Sequence, residues 1–366
     1  MAHFSPQFML LSACVFLGAC ATPDLEVNGG TSSLEGQPVV EEVSSVEEPP
    51  SATEPFLARI VFAGDLANGE GCADHGADDK CDLFEAEIDL DSGEVFSVRQ
   101  ITDTPVSESY PALAPNGAMA YYSIFKTARE KDMGFVDLES GETGVLLAGA
   151  TWPEVSPDGD VLLYVANQTK KIMQATLSAD GRSLSGAAEL TGVANQQDPD
   201  FSSDGSLVVF HDTSAGEGEG AVYNMETEET VFYESRSGHC TFGALSFLTV
   251  CDNVSAGGLL SRLYEDGLFG DMELFVADQK PSVLKDTDPA LGDCRGTSFN
   301  YPSFCGDDEH LLVSTSCNQG GSVSFSRLFI IDLTEEDPQY YPLGMNLEEA
   351  YAGPGQSSWT VACMAE

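Results

Sequence analysis

A short sequence unit recurs along this chain and constrains its fold more than any other feature. The clearest copy, WPEVSPDGDVLLYVA, occupies residues 152–166, and weaker copies start at Tyr110, Asp198 and Tyr301. In each copy two short apolar runs flank a turn, which at 156–159 reads Ser-Pro-Asp-Gly, a sequence typical of a type I turn. The run after the turn is almost continuously apolar, as in a strand buried on both faces. Repeats of this kind predict a propeller or a solenoid.

The repeats also predict how the fold closes. Each holds four short strands, A to D, which is the content of one propeller blade. The first repeat begins at Ala58 without a strand A, and the C-terminal GQSSWTVACMAE resembles a strand A with no blade after it. We therefore expect an all-β fold, a six-bladed β-propeller of four-stranded blades. A strand near Ser357 to Cys363 would complete the first blade and remove the free sheet edges. Seven blades would require an extra blade between Cys251 and Cys294.

The repeat follows the pattern P-x-[FVL]-S-P-D-G-x-[VL]-[VL]-x-[YF] and resembles the WD40-like propeller repeat of TolB and its relatives. The match is good at Pro111, Pro153 and Pro199, fair in the sixth unit, where Cys305 replaces the serine, and poor in the fifth. It covers nearly all of 56–366. The resemblance implies the fold strongly and the function weakly, because the same propeller serves as a partner-binding platform and as an accessory to hydrolases.

The N-terminus has the features of an export signal. Residues 1–19 carry no charged side chain, and the apolar run at 8–19 is too short to span a bilayer but suits a signal peptide. The run ends in Leu-Gly-Ala before Cys20, which resembles the bacterial lipobox and implies a lipid on the Cys20 sulfur. Ala21 after it resembles the residue of an outer-membrane lipoprotein. The alternative is an ordinary secretory signal, and either way we expect an exported chain.

Composition separates a tether from the folded part. Residues 20–55 are rich in Pro, Ser, Thr and Gly, with eight acidic side chains and no basic one, so we expect a disordered tether before a propeller domain at 56–366. The whole chain has 60 acidic and 15 basic residues, a formal net charge of −45. That charge argues against binding nucleic acid or an anionic bilayer directly. We expect a monomer that touches the membrane through its lipid only.

The cysteines predict disulfides. Of ten cysteines, Cys14 would leave with the signal peptide and Cys20 would be acylated, and the remaining eight form an even set in an exported chain. No CxxC and no cysteine–histidine cluster has zinc spacing, so we predict no metal site. Eight cysteines allow 105 pairings. Their positions at loop ends and strand ends favour four pairs: Cys72–Cys81, Cys240–Cys251, Cys294–Cys317 and Cys305–Cys363, the last linking neighbouring blades.

Recognition is expected in the loops of one face. In this blade order the D–A and B–C connections emerge on one face, here the B–C face, and the tight A–B and C–D turns on the other, the A–B face. The B–C loops are long and varied, and loops on a rigid scaffold often carry binding residues. Basic residues in two of them suggest a patch for a carboxylate-rich partner or an acidic glycan, or else they neutralise nearby acids. These residues are Lys126, Arg129 and Lys131 in blade 2 and Lys170 and Lys171 in blade 3.

Metal and catalytic patterns are weak. Asp74, Asp78, Asp79 and Asp82 could bind Ca²⁺, but their spacing does not match an EF-hand loop, and solvated surface carboxylates are the preferred interpretation. No G-x-S-x-G nucleophile elbow occurs. A metal-dependent lyase on such a propeller would need several converging histidines. Four histidines follow the leader: His75, His211 and His239 are expected on the B–C face, and His310 by an A–B turn.

The preferred hypothesis is therefore a non-catalytic, lipid-anchored propeller without a cofactor. It would bind a protein or an envelope polymer, as a lipoprotein of the bacterial outer membrane. Trp152 and Trp359 fall in strands A and are interpreted as core residues rather than as a ligand cage. The alternative is a metal-dependent lyase or hydrolase that acts on acidic polysaccharide at the propeller channel.

Overall fold

The computed structural model describes the propeller part of the chain. The described residues are 55–65, 81–127, 129–214, 218–252, 258–265, 267–270, 273–276, 284, 287–289, 291, 294, 296–318, 323–334, 338–351 and 356–365. All of them belong to one compact unit, Thr53–Glu366. The expected signal peptide, Cys20, most of the expected tether, and the loop with Cys72, His75 and the aspartates at 74, 78 and 79 lie outside them. Within these residues no helix is long and apolar enough to span a membrane.

The described residues form antiparallel strands throughout, as the repeats predict. The strands are β1 Leu57–Asp65, β2 Asp82–Asp89, β3 Val95–Gln100, β4 Ser107–Leu113, β5 Met119–Phe125, β6 Lys131–Asp137, β7 Thr143–Ala148, β8 Ala150–Val155, β9 Val161–Ala166, β10 Lys171–Leu177, β11 Leu184–Glu189, β12 Gln196–Phe201, β13 Leu207–Asp212, β14 Glu219–Asn224, β15 Thr230–Arg236, β16 Cys240–Phe242, β17 Leu248–Asp252, β18 Leu259–Glu265, β19 Leu268–Phe269, β20 Glu273–Val276, β21 Gly296–Phe304, β22 His310–Asn318, β23 Val323–Asp332, β24 Gln339–Tyr341 and β25 Gln356–Ala365. Blade 1 is β25-β1-β2-β3, and β4–β7, β8–β11, β12–β15, β16–β20 and β21–β24 form blades 2 to 6.

The C-terminal strand closes the ring in the way the sequence predicts. β25 pairs antiparallel with β1, from Ala58 opposite Ala365 to Asp65 opposite Gln356. It therefore supplies the innermost strand that the first repeat lacks, and the fold is a closed propeller of six blades. The described residues of the segment between Cys251 and Cys294 contribute β18, β19 and β20 to blade 5 and form no seventh blade.

Hydrophobic packing between blades holds the ring together. Buried clusters of described residues fill the gaps, with one between each pair of neighbouring blades. The cluster between blades 6 and 1 joins Phe62 and Ile330 to Leu343 and Leu347 of a helix, α1 Leu343–Tyr351. The sequence analysis did not predict this helix, which lies between β24 and β25.

The Ser-Pro-Asp-Gly turn forms as predicted. The Gly159 amide donates to the Ser156 carbonyl at 2.8 Å, and Gly159 has a φ of 79°, which glycine adopts without strain. The Ser156 hydroxyl donates to Asp158 at 2.6 Å and accepts from the Val161 amide at 2.9 Å. The strand that follows is buried along its centre. The turn thus fixes the register of the two inner strands of the blade.

Candidate functional site

Each innermost strand of four blades contains a bulge at a residue that precedes a proline. Proline has no amide hydrogen, so it cannot complete the strand ladder and favours a bulge. The residue before it adopts a left-handed φ, of 51–57° in all four cases. The pairing registers shift at the same places. The four residues are Tyr110 in blade 2, Trp152 in blade 3, Asp198 in blade 4 and Tyr301 in blade 6.

Hydroxyl groups of neighbouring blades accept hydrogen bonds from amides that the bulges leave out of the ladder. The Tyr110 amide donates to Thr360 Oγ1 of blade 1 at 2.9 Å. The Trp152 amide donates to Ser123 Oγ of blade 2 at 3.0 Å. The bulges are therefore tied to the adjacent blades.

The four bulged residues meet His239 of blade 5 at the propeller axis and form with it what we call the axial cluster: Tyr110, Trp152, Asp198, His239 and Tyr301. Tyr110 and Tyr301 come from blades separated by blade 1, yet their hydroxyl oxygens lie 3.3 Å apart. The Tyr110 and Trp152 ring centroids are 5.2 Å apart, and His239 stacks on Tyr301 at 3.7 Å. His239 Nδ1 lies 2.6 Å from Asp198 Oδ2. These contacts cross the channel.

A charge pair strengthens one side of the axial cluster. Burial opposes a charge on His239, but the Asp198 carboxylate outweighs burial, and the pKa of His239 is raised. Asp252 lies nearby, and burial raises its pKa to about 6. His211 contacts His239 edge to face, with ring centroids 6.0 Å apart. Burial and the charge of His239 lower the pKa of His211 to about 4, so His211 is neutral at pH 7.

Below the axial cluster, on the A–B face, lies a central cavity of about 580 Å³. Its rim is made of residues from the A–B turns, among them Pro157 and Ser203, and Tyr110, Trp152, Asp198 and Tyr301 line its inner end. Between rim and floor, one residue of each blade lines the cavity, two positions after Tyr110, Trp152, Asp198, His239, Tyr301 or Trp359. These residues are Ala112, Glu154, Asp200, Thr241, Ser303 and Val361, one from each blade.

The charge of this cavity is one-sided. Among the described residues, Glu154, Asp198 and Asp200 line it, and no Lys, Arg or His does. Asp200 Oδ2 accepts hydrogen bonds from Thr241 Oγ1 at 2.6 Å and from the Phe242 amide at 3.0 Å, both from blade 5. Burial and mutual repulsion raise the pKa of Glu154 and of Asp200. The cavity is thus an acidic pocket that opens on the A–B face.

The five basic residues of the B–C face have different surroundings. Lys126 forms an ion pair with Asp132, and Lys171 Nζ lies 2.7 Å from Glu189 Oε2. Arg129 and Lys170 are exposed. Lys131 Nζ lies over the rings of Phe125, at 4.3 Å, and Trp152, at 5.0 Å. Burial and the charge of Lys170 lower the pKa of Lys131 to about 8. Two of the five thus neutralise acids, and Lys131 and Lys170 lie close enough to repel each other.

The structure contains two disulfides between described residues, and both are pairs that the sequence predicts. Cys240–Cys251 joins facing residues of β16 and β17. Cys305–Cys363 joins blade 6 to the C-terminal strand. Cys81 and Cys294 are also disulfide-bonded. Cys72 and the side chain of Cys317 lie outside the described residues, so the other two pairings stay predictions.

The histidines that the sequence analysis considered for a metal do not converge in the part of the chain that the structure describes. His211 and His239 are neighbours, while His310 lies by an A–B turn, within 2.8 Å of Asp307 and 3.2 Å of Asp91. No group of three or more His, Cys, Asp or Glu among the described residues has the geometry of a metal site.

Sequence reasoning missed the axial cluster and the acidic cavity. It assigned Trp152 to the core; one part of that side chain does pack on the cluster between blades 3 and 4, and the residue also lines the cavity. Trp359 lies at the bulge of β25, but its side chain is not described. The available indication was the repeated pair of an aromatic or acidic residue with proline in strand A, at Tyr110, Trp152, Asp198 and Tyr301.

Solved structures share this architecture. TolB from Acinetobacter baumannii aligns with 84% of this chain and 66% of its own, with a TM-score of 0.57 and 15% identity. A chain of a nidogen/laminin complex aligns with 84% of this chain and 98% of its own, with a TM-score of 0.55 and 11% identity. A structure assigned to TolB from Agrobacterium tumefaciens aligns with 86% of this chain and 99% of its own, with a TM-score of 0.51 and 10% identity. This chain thus spans less than two thirds of the Acinetobacter protein.

No protein-family model matches the sequence, and no curated protein is significantly similar to it. The likeness to solved structures concerns the fold, since the identities are low. Together with the closed ring of six sheets, it identifies the architecture: the chain folds as a TolB-like six-bladed β-propeller.

Proposed function

We propose that this protein is an exported, lipid-anchored propeller that does not catalyse a reaction and binds a partner protein in its central cavity. The observation that carries the proposal is the cavity itself. Its volume of about 580 Å³ lies within the range of roughly 300–1,000 Å³ that is usual for ligand sites. The axial cluster closes it from within, so a partner segment would enter from the A–B face and end against a floor of rings.

The residues of the cavity favour binding over the alternative of a polysaccharide lyase or hydrolase. A pocket whose described lining holds three carboxylates and no basic residue would repel an acidic polysaccharide. A protein partner is the preferred class, because a propeller in a nidogen/laminin complex has a similar fold. An envelope polymer remains the second class of partner.

The basic residues of the B–C face form a second, smaller candidate surface. Lys126 and Lys171 already have acidic partners, so we propose that only Lys131 and Lys170, with exposed Arg129 beside them, would contact a carboxylate of a partner. This surface lies on the opposite face from the cavity and would act independently of it.

Export and anchoring rest on the N-terminal sequence and on the disulfides. Disulfides persist in oxidising compartments, and the Cys240–Cys251 and Cys305–Cys363 bonds suit an exported protein. We propose acylation of Cys20 and an outer-membrane location. Intact-mass spectrometry of the membrane-extracted protein tests this: a mass increase of a diacyl- or triacyl-glyceryl group on Cys20 is expected, and an unmodified Cys20 would contradict it.

Photocrosslinking in living cells tests the platform. A photoreactive amino acid at Ser203, on the rim of the cavity, is compared with one at Gln168, in the B–C turn of blade 3; both sites are exposed. We expect one distinct crosslinked protein from Ser203 and none of it from Gln168, and Ser303→Trp, which fills the cavity, should abolish the crosslink. A crosslink that survives Ser303→Trp in a folded variant would refute binding in the cavity.

A further inference from the structure

We infer that the cavity receives a cationic side chain of a partner protein, an arginine or a lysine, which Glu154 and Asp200 hold. The inference rests on the proposed function and adds the chemistry of the occupant. Three lines of observation support it: the unbalanced charge of the lining, the aromatic floor, and the mismatch between this lining and a metal ion.

Two carboxylates of the cavity, Glu154 and Asp200, have no ion pair with a described basic side chain, whereas the third, Asp198, pairs with His239 and several other acids of the protein pair with arginines. Glu85 pairs with Arg59 and Arg99, and Asp137 pairs with Arg182. No described side chain donates a hydrogen bond or an ion pair to Glu154, and the donors to Asp200 are the neutral Thr241 and Phe242. A concave site lined by carboxylates without basic partners attracts a cation.

Repulsion among the three carboxylates of the cavity also favours a bound cation. Glu154 lies close enough to Asp198 and Asp200 for their charges to raise its pKa, after the larger effect of burial. A bound cation would relieve this repulsion and return the carboxylates to the ionised form. The site therefore gains more from a positive ligand than an exposed carboxylate pair would.

The floor of the cavity suits an organic cation. Tyr110, Trp152 and Tyr301 present aromatic rings there, and a guanidinium or ammonium over such a ring gains a cation–π contact. The Trp152 ring already makes one, because Lys131 Nζ lies 5.0 Å from its centroid. The prolines on the wall add apolar surface for the methylene groups of a long basic side chain.

A metal ion fits this lining less well. Calcium takes about six to eight oxygen ligands, whereas no group of three or more potential ligands among the described residues has suitable geometry. A cavity of about 580 Å³ is also far larger than one ion requires and admits several residues of a peptide. The proposal therefore commits to a basic segment of a protein.

A random heptapeptide library displayed on phage tests the inference with the full exported chain. The library is selected on the wild-type protein and counter-selected on Ser303→Trp, or on Ala244→Trp at the rim if the first variant is unstable. We expect the selected peptides to share an arginine or lysine. Their affinity should fall at least tenfold for Glu154→Gln and for Asp200→Asn, since both remove charge and keep shape, and for a citrulline replacement of the arginine.

Glu139→Gln, which removes an exposed carboxylate outside the cavity, is the matched control and should leave the affinity unchanged. If the selected peptides lack a basic residue, or if they bind Glu154→Gln as tightly as the wild type, the inference of a bound cationic side chain would be refuted. The proposed binding of a protein in the cavity would still be supported. If no peptide binds the wild-type protein better than the cavity-filled variants, both the bound cation and the proposed binding in the cavity would be refuted. If no peptide is selected and calcium alone raises the melting temperature of the wild type but not of Glu154→Gln, the cavity binds a metal ion instead of a basic side chain.

Discussion

The bond between Cys305 and Cys363 can be tested as the staple of the ring. It joins the residue after β21 of blade 6 to β25, which is also held by the backbone pairing with β1, by the Thr360 hydroxyl that accepts from the Tyr110 amide of blade 2, and by the packing of Val361. Replacing both cysteines by alanine removes the covalent link and leaves these hydrogen bonds intact. The matched control replaces Cys240 and Cys251, which link two strands within blade 5.

The expected effect follows from the length of chain that each bond closes. The sequence separation is 58 residues for Cys305–Cys363 and 11 for Cys240–Cys251. In the chain-entropy model the free energy of unfolding falls by about 4 kcal/mol without the first bond and about 3 kcal/mol without the second. Cys240, Cys251 and Cys305 are buried and Cys363 is partly buried, so both variants also lose some side-chain packing.

The location of the effect separates the two variants more sharply than its size. Hydrogen exchange followed by mass spectrometry reports the local opening of each strand. We expect the variant without Cys305–Cys363 to exchange faster in β1 and β25, because β25 can leave the ring when blade 6 no longer holds it. The control variant should exchange faster in β16 and β17 and keep the wild-type rates in β25.

One result would refute this reasoning. If the variant without Cys305–Cys363 keeps wild-type exchange in β1 and β25 while its free energy of unfolding falls, the bond acts only on the unfolded chain. Ring closure would then depend on the pairing of β1 with β25 and on the packing of Phe62 and Val361 between blades.

Three further predictions concern single residues. Gly306→Ala should lower the free energy of unfolding by about 1–3 kcal/mol in denaturant titrations, because Gly306 has a φ of +82° and an added Cβ would overlap that of Ala365. Asp198→Asn should lower the pKa of His239 in an NMR titration, and an unchanged value would contradict the ion pair. Burial raises the pKa of Glu108 from 4.5 to about 7, so the folded state holds a proton that the unfolded state releases, and stability is lost as the pH rises through 7. Glu108→Gln should therefore stabilise the protein by roughly 2–3 kcal/mol at pH 8 and little at pH 5, in denaturant titrations at both pH values.

The ring could be predicted from the sequence because its information is local. The strands and turns of each blade can be read from the sequence of that blade. The turn at 156–159, for example, forms the hairpin that its residue types predict. The strand predicted at the C-terminus had no blade of its own, so pairing it with the first blade was the simplest way to close the ring. Helix α1 was not predicted, since its nine residues are stabilised by the burial of Leu343 and Leu347 against blade 6, a tertiary effect.

The site was harder to predict, because a bulge reverses the rule by which strand patterns are interpreted. Successive side chains of a strand alternate between faces, so Trp152 in an apolar strand was assigned to the core. The left-handed residue before Pro153 breaks this alternation and turns the side chain towards the axis. The sequence contains the proline, but the alternation rule takes no account of it. The sequence analysis therefore predicted binding residues in the B–C loops and did not predict those in the strands A.

The four left-handed residues indicate why the floor of the cavity is rigid. A non-glycine residue in this conformation costs about 1–2 kcal/mol, and Tyr110, Trp152, Asp198 and Tyr301 all adopt it. Strand pairing does not require this strain, since blade 5 forms its inner hairpin with Cys240 in place of the proline. The strained residues are instead held at two places. Backbone amides at the bulges donate hydrogen bonds to a neighbouring blade, and the aromatic rings contact each other across the axis. A partner would thus meet a surface that is already ordered, and binding would lose little free energy to rearrangement.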